Sequence, residues 1–190
     1  MIAYRSRSPK NDGIPKQLIN YKPYYRNNTV VVVANYCGYL FAGNKTFNKT
    51  VILGNEIQNC CAMFAGCENF NQPITIPNGV TDCSFMFMDC LNFKPKNLIF
   101  PITVSTARFA FRGCNLGNTN IFILNKDTVT NMMLERNVYN TRRLNIFVPR
   151  DKSLETLTTS FSFSYPNWQT TTNCIYSTNL NIYCYNNLEV

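Results

Sequence analysis

Apolar and small residues recur along the middle of the chain in a cassette of 23 or 24 residues, anchored in turn by Phe41, Phe64, Phe87, Phe111 and Leu134. Four residues before each anchor stand Cys37, Cys60, Cys83, Ala107 and Thr130, and one before it stand Leu40, Met63, Met86, Ala110 and Met133. Three after it come Asn44, Cys67, Cys90, Cys114 and Asn137. This i, i+3, i+4, i+7 spacing predicts a short helix in each copy, with its apolar stripe facing inward. Gly43, Gly66, Asp89 and Gly113, two residues past the anchor, are turn residues and limit the helix to a brief α or 3₁₀ piece.

Ten or eleven residues past the anchor the periodicity becomes alternating. The triplets Val51-Ile52-Leu53, Ile74-Thr75-Ile76, Leu98-Ile99-Phe100, Ile121-Phe122-Ile123 and Leu144-Asn145-Ile146 predict short strands, with the first and third residues inward and the middle one outward. One unit alone exposes its apolar flanks, and stacking covers them. A repeat of this length therefore predicts an α+β solenoid of about five repeats, a parallel β ladder with short α or 3₁₀ segments. Phe41, Phe64, Phe87, Phe111 and Leu134 should form one core column, Phe47, Phe70 and Phe93 a second, and Cys67, Cys90 and Cys114 a third. The copies span residues 36–150, between a basic N-terminal arm and first cap at 1–35 and a C-terminal cap at 151–190. In the latter, Leu180–Tyr185 alternates and predicts a closing strand, while Trp168 is expected to plug the core. In the fourth copy Asn115-Leu116-Gly117 interrupts the aromatic pattern.

Cysteine usage argues against a disulfide framework. Six of the nine thiols fall on two repeat positions, seven residues apart within a copy, which is about 10 Å on a helix and too far to bridge. They are expected to be reduced and buried, behaving as small hydrophobes. There is no histidine and no CxxC pair, so a zinc site is not indicated and the commonest general base is missing. The acidic residues are scattered singly, and no Gly-rich phosphate loop occurs. No catalytic, cofactor or metal site is assigned.

The net charge of +8 is uneven. Residues 1–27 carry Arg5, Arg7, Lys10, Lys16, Lys22 and Arg26 against Asp12 alone, with Pro9, Gly13, Pro15 and Pro23 opposing regular structure. Arg5, Arg7, Tyr21, Tyr24, Tyr25 and Arg26 are the candidate partner-docking residues of this arm, on the expectation that it is mobile alone and ordered against a neighbour. Basic residues interleaved with tyrosines also allow nucleic-acid binding, ranked below a protein partner because no recognised motif accompanies them. A second basic cluster, Arg136, Arg142, Arg143, Arg150 and Lys152, reads as a solvated face or an acidic-partner surface. No apolar run approaches the ~18 residues that span a membrane, and the start lacks the apolar stretch of a secretory signal.

The cassettes Met63-Phe64-Ala65-Gly66-Cys67-Glu68-Asn69-Phe70-Asn71-Gln72-Pro73 and Met86-Phe87-Met88-Asp89-Cys90-Leu91-Asn92-Phe93 resemble the BspA-like leucine-rich repeat family, whose hallmark is an MFxxCxxFNQP core followed by a short apolar strand and Pro. The resemblance is best in copies two and three and covers about 60% of the chain. It implies a non-enzymatic surface or adhesion domain, and similar repeats occur in phage virion proteins. Without a signal peptide, lipobox or wall-sorting tail, the expectation is a phage structural protein of the tail, neck or another multi-copy assembly. It would be assembled in the host cytoplasm, with other virion proteins as partners and no small-molecule substrate or membrane span. The alternatives are a bacterial surface adhesin or glycan-binding repeat protein, and a nucleic-acid-binding protein acting through the arm.

Overall fold

The computed structural model of the chain describes residues 24–26, 28–116, 118–125, 127–128, 144–149, 169–171, 174–176 and 180–185. Leu134, Trp168 and the basic cluster, apart from the backbone of its neighbouring strand, lie outside them. Among the described residues nine short strands form two sheets, with almost no helix and no closed barrel. The first sheet joins β1 (Tyr24–Arg26), β2 (Thr29–Val32) and β3 (Thr50–Leu53) in that order, β1 antiparallel and β3 parallel to β2. The second contains β4 (Asn97–Phe100), β5 (Thr119–Ile123), β6 (Leu144–Pro149), β7 (Gln169–Thr171), β8 (Cys174–Tyr176) and β9 (Leu180–Tyr185), in the order β4-β5-β6-β9-β8-β7. Its first four strands run parallel, and β8 and β7 turn antiparallel beyond β9.

In the four described cassettes the expected helices do not form. Most inward positions are as the spacing predicts, with Cys37, Phe41, Cys60, Met63, Phe64, Cys67, Cys83, Met86, Phe87 and Cys90 buried, whereas in copy one Leu40 is half-buried and Asn44 exposed. The backbone that presents them is a run of tight turns. Tyr39, Ala62, Phe85 and Phe109, two residues before each anchor, have φ between 52° and 62°, and Gly43, Gly66, Asp89 and Gly113, two after it, have φ between 58° and 77°. A left-handed residue every four positions is incompatible with an α-helix, whose φ stays negative throughout. It is what the third position of a type II turn requires.

The hydrogen bonding accounts for this geometry. Within a copy, i→i−3 bonds close successive turns: the amides of Met63, Ala65, Cys67 and Phe70 donate to the carbonyls of Cys60, Ala62, Phe64 and Cys67 at 2.9–3.1 Å. Amides between them point to the next copy. Cys60, Ala62, Phe64 and Gly66 donate to the carbonyls of Asp82, Ser84, Met86 and Met88 at 2.7–2.9 Å. The same four rungs join copy one to copy two and copy three to copy four. A helix would have used these donors internally; the turns release half of them to tie neighbours together.

Side chains follow the same register. Ring centroids of Phe41, Phe64, Phe87 and Phe111 succeed one another at 5.4, 5.7 and 5.7 Å, and those of Phe47, Phe70 and Phe93 at 6.0 and 5.5 Å. Phe41, Phe64 and Phe87 each also stack on the second ring of their own copy at 4.2–4.3 Å. In copy four Leu116, fully buried, supplies the apolar volume after the anchor, and Phe100 meets Phe111 edge-on at 5.8 Å.

Two strand expectations need correction. Ile74 and Ile76 are buried and Thr75 is exposed, as the alternation predicts, but this triplet makes no strand, so the sheet face divides between β3 and β4. Pro73 stands where Thr50 and Asn97 open β3 and β4, and it removes a ladder donor there. In the fifth copy, Ile121 pairs with Ile146 and Phe122 with Phe147, so the triplet equivalent to Ile121-Phe122-Ile123 is Ile146-Phe147-Val148, two residues later than expected. The arm also differs from expectation at its end: Tyr24, Tyr25 and Arg26 form strand β1, paired with Val31, Val30 and Thr29. Closing strand β9 lies parallel to β6 as the outermost parallel strand, with the β7-β8 hairpin beyond it.

Candidate interaction surface

The middle residues of the strand triplets compose the outer face of both sheets. Val31 and Ile52 are partners across β2 and β3, and Ile99, Phe122 and Phe147 succeed one another across β4, β5 and β6. The Phe122 and Phe147 rings stack at 4.6 Å and 11°. Ile52 is 53% exposed and Val33, just beyond β2, 54%. One row over, Asn97, Asn120 and Asn145 form an amide ladder, Asn120 Nδ2 donating to Asn97 Oδ1 at 2.9 Å and Asn145 Nδ2 to Asn120 Oδ1 at 2.8 Å. An apolar row beside a self-satisfied amide row suits contact with another protein surface, because neither row holds a charge that docking must strip of water.

A second face lies along the cassettes. Phe85 and Phe109, at the left-handed position before the anchor, stack at 5.3 Å, with the Arg112 guanidinium 5.6 Å from the Phe109 centroid. Tyr39 occupies the same position in copy one and is 44% exposed. Asp89, near Arg112, has its carboxyl raised above the ordinary range, mainly by burial and further by Glu68, with Arg112 opposing. Lys45 and Glu68 form an exposed ion pair at 2.6 Å, which contributes little to stability.

A third row runs through the parallel bridges Tyr36–Asn59, Asn59–Asp82 and Asp82–Thr106. Asn59 Oδ1 accepts the Cys61 amide at 2.9 Å, Asp82 Oδ1 accepts the Ser84 amide at 2.8 Å, and Asn59 Nδ2 reaches Asp82 Oδ2 at 3.2 Å. These side chains close local Asx turns. Tyr36 has its phenol pushed up, first by burial and then by neighbouring Cys61, Tyr39 and Asp82.

The thiols belong to the core. The seven cysteines from Cys37 to Cys114 are free, and of these only Cys61 is not buried. Burial pushes Cys37, Cys67 and Cys114 up to about 12 and Cys61 to about 11, and raises Cys60, Cys83 and Cys90 further. A thiol held protonated at neutral pH is a poor nucleophile and metal ligand. Cys67, Cys90 and Cys114 are more than small hydrophobes, however. Each Sγ donates to the anchor carbonyl of the preceding copy, those of Phe41, Phe64 and Phe87, at 3.1, 3.1 and 2.8 Å. Copy one has no preceding anchor among the described residues and carries Asn44 at that position. Among the described residues no group of three or more His, Cys, Asp or Glu is placed to hold a metal, and no helix is long and apolar enough to cross a membrane.

Of the arm residues singled out from the sequence, Tyr24, Tyr25 and Arg26 lie on β1 at the edge of the first sheet, whereas Arg5, Arg7 and Tyr21 fall outside the described residues. The outward apolar row was readable as the middle position of a triplet at Ile52, Ile99 and Phe122, but not at Val31, which no triplet covered, nor at Phe147, because the expected fifth triplet centred on Asn145. The Phe85–Phe109 row was not, since a helix would have aimed those residues differently. No protein-family model, curated protein or solved structure matches this chain.

Proposed function

We propose that this chain is a BspA-like leucine-rich-repeat solenoid serving as a non-enzymatic structural component of a phage virion, a rigid protein-binding or spacer module in the tail, neck or another multi-copy assembly. The observation that carries the reading is the outer sheet face, where Val31, Ile52, Ile99, Phe122 and Phe147 repeat an apolar side chain strand after strand beside the Asn97–Asn120–Asn145 ladder. Two features support a spacer role. The rungs between cassettes resist bending because each neighbour is held by four backbone bonds, and the ring columns are continuous across the copies. Other virion proteins are the partners in this reading, and the basic N-terminal residues Arg5 and Arg7 add an electrostatic contact to them.

The test is incorporation into particles. Ile52→Asp and Phe122→Asp place charge on the outer row without touching the buried columns, and are expected to leave the melting temperature nearly unchanged while removing the chain from purified virions. Particles that incorporate both variants at the wild-type level would refute the reading. Recovery of the wild-type chain on the bacterial surface, with none in particles, would favour the adhesin alternative.

A further inference from the structure

Copies one to three leave their apolar triplets through equivalent turns. The amides of Ile57, Val80 and Val104 close them by donating to the carbonyls of Gly54, Pro77 and Pro101 at 3.3, 3.1 and 3.0 Å, and all three closing residues are fully buried. The second turn residue, Asn55, Asn78 or Ile102, is exposed in each. The third is Glu56 in copy one, Gly79 in copy two and Thr103 in copy three, so copy two alone places glycine after asparagine, in the single Asn-Gly pair of the sequence. Gly79 does not serve a left-handed turn, because only Gly43, Gly66 and Gly113 among the described glycines have positive φ. It serves close packing: a Cβ there would stand 3.0 Å from the carbonyl oxygens of both Asn55 and Ile57 in copy one. The stacking of the copies therefore holds glycine at this position.

We propose that Asn78 is a site of spontaneous covalent modification, losing its side-chain amide through a cyclic imide closed by the nitrogen of Gly79. Neither the Asn78 side chain nor the Gly79 amide has a hydrogen-bond partner among the described residues, and no side chain at residue 79 shields that nitrogen. The Gly79 amide gives its proton to solvent base, its nitrogen attacks Asn78 Cγ, and the Cγ–Nδ2 bond breaks as ammonia leaves with a proton from water. Water then opens the imide ring. Opening at Cγ restores the main chain with an aspartate side chain at 78; opening at the Asn78 carbonyl carbon leaves the main chain running through Cβ and Cγ, an isoaspartyl linkage. Water is consumed and ammonia released in equal amount, and no other co-reactant is needed.

The two products act differently on the stack. Aspartate adds a negative charge at an exposed position and takes one from the net charge of +8. The isoaspartyl product inserts an extra main-chain carbon between Pro77 and Val80, which are both buried and fixed by their packing. At that chain length the turn bond from Val80 to Pro77 is lost. The strain falls on a joint between copies, because the next residue, Thr81, donates its amide to the Gln58 carbonyl at 2.8 Å and accepts the Ser105 amide at 2.9 Å. Glycine thus gives the copies their close approach and leaves the turn chemically labile. The inference does not rest on the proposed function.

Site-resolved peptide mass spectrometry on the full wild-type chain, aged in native buffer and sampled over time, tests it. Asn78 is expected to gain the mass that exchanging NH2 for OH brings, to yield isoaspartate detectable by an isoaspartate-specific methyltransferase, and to convert faster as pH rises. Asn55 is the internal control, exposed at the same turn position. It should convert at least about tenfold more slowly, because Glu56 carries the Cβ that crowds the attacking nitrogen. Asn78→Gln, at an exposed position, should keep the melting temperature and abolish the conversion at 78, since its longer side chain closes a less favourable ring. If Asn78 converts in denaturant but is retained in the native chain, the turn protects it and the proposal is overturned. Equal rates at Asn55 and Asn78 in the native chain would overturn it as well, because glycine would then play no part.

Discussion

The cassette ladder and the strand ladder run side by side through the same copies, yet only the first is continuous. Copies one to four are joined at every step by four cassette rungs, while the strand face stops after β3 and resumes at β4. The copy that breaks the strand face, copy two, keeps all its cassette rungs and has fully buried Met63, Phe64, Cys67 and Phe70. Pro73 is fatal to a strand because every second residue there must donate to a neighbour. The cassette is robust for the opposite reason: its donors alternate between turn and rung, so its side chains and its backbone are committed separately. Stability should therefore reside in the cassettes, and the strands should chiefly supply a surface.

The largest effect should follow from removing a central ring. Phe64→Ala or Phe87→Ala takes away a fully buried side chain stacked on rings above, below and beside it, and should cost about 3–5 kcal/mol in denaturant unfolding. Phe41→Ala should cost less, because Phe41 is 6% exposed and stacks on Phe47 and Phe64 alone among the anchor-column and second-column contacts. Equal and negligible losses at all three would show that the columns do not hold the stack.

The left-handed positions offer the next test. A Cβ at Gly43 would meet no atom within 4 Å, so Gly43→Ala isolates the backbone cost of holding φ at 77°, roughly 1–2 kcal/mol. At Gly113 the added Cβ would collide with Asp89 Oδ1, in addition to the same strain. Gly113→Ala should therefore be the more damaging of the pair. Displacing Asp89 can relieve part of the clash, so the double variant Gly113→Ala, Asp89→Gly should recover stability beyond Gly113→Ala alone. A Gly43→Ala variant as stable as the wild type would count against the turn backbone itself.

These turns also mark where the sequence stopped being informative. Residues 60, 63, 64 and 67 face inward on a helix and equally on two linked turns, so spacing alone cannot separate the two backbones. Glycine two residues after the anchor was the available clue; Tyr39, Ala62, Phe85 and Phe109, all left-handed in the structure, offered none. The strand triplets were legible because alternation has no competing reading, except where Pro73 overrode it. The fifth copy was misplaced by two residues because Leu144-Asn145-Ile146 alternates as well as Ile146-Phe147-Val148 does, and only the pairing with β5 decides between them. The thiol bonds were invisible for a different reason: the acceptor of Cys67 is the carbonyl of Phe41, 26 residues away, a contact created by stacking. The outward row was readable at Ile52, Ile99 and Phe122, but nothing local said that Phe147 would join it and stack on Phe122.

Alkaline pH should weaken the cassettes more than the strands. Burial raises the thiols of Cys37, Cys67 and Cys114 from an ordinary value near 9 to about 12. An unfolded chain releases these protons at lower pH than the folded one, so stability is fully present below about pH 9 and declines as pH rises toward 12. The denaturation midpoint should fall across that window, and Cys114→Ala should flatten the slope. The same variant lowers stability at pH 7 by about 1 kcal/mol, through loss of its bond to Phe87. Native thiol labelling should be slow for the six buried cysteines and faster at half-buried Cys61; several native disulfides among the described cysteines would refute this account of the core.

The smallest change in stability, and the sharpest test of the comparison, is Pro73→Thr. It restores the amide that Thr50 and Asn97 have at the equivalent position, and a new ladder bond contributes about 1 kcal/mol. Losing proline loosens the unfolded chain and costs about 0.4–1 kcal/mol. The two terms nearly cancel, so the melting temperature should hardly move. The local structure should move instead: the substituted residue and its neighbours Ile74, Thr75 and Ile76 should gain protection from hydrogen exchange, as a new strand joins β3 to β4 into one sheet. If the substitution leaves exchange at 73–76 unchanged, Pro73 is not what divides the strand face. The cause would then lie in the spacing between the strand triplets of copies two and three, 24 residues from Ile74 to Leu98 against 23 from Val51 to Ile74, and the contrast between a tolerant cassette and a fragile strand would have to be drawn from length and not from the missing donor.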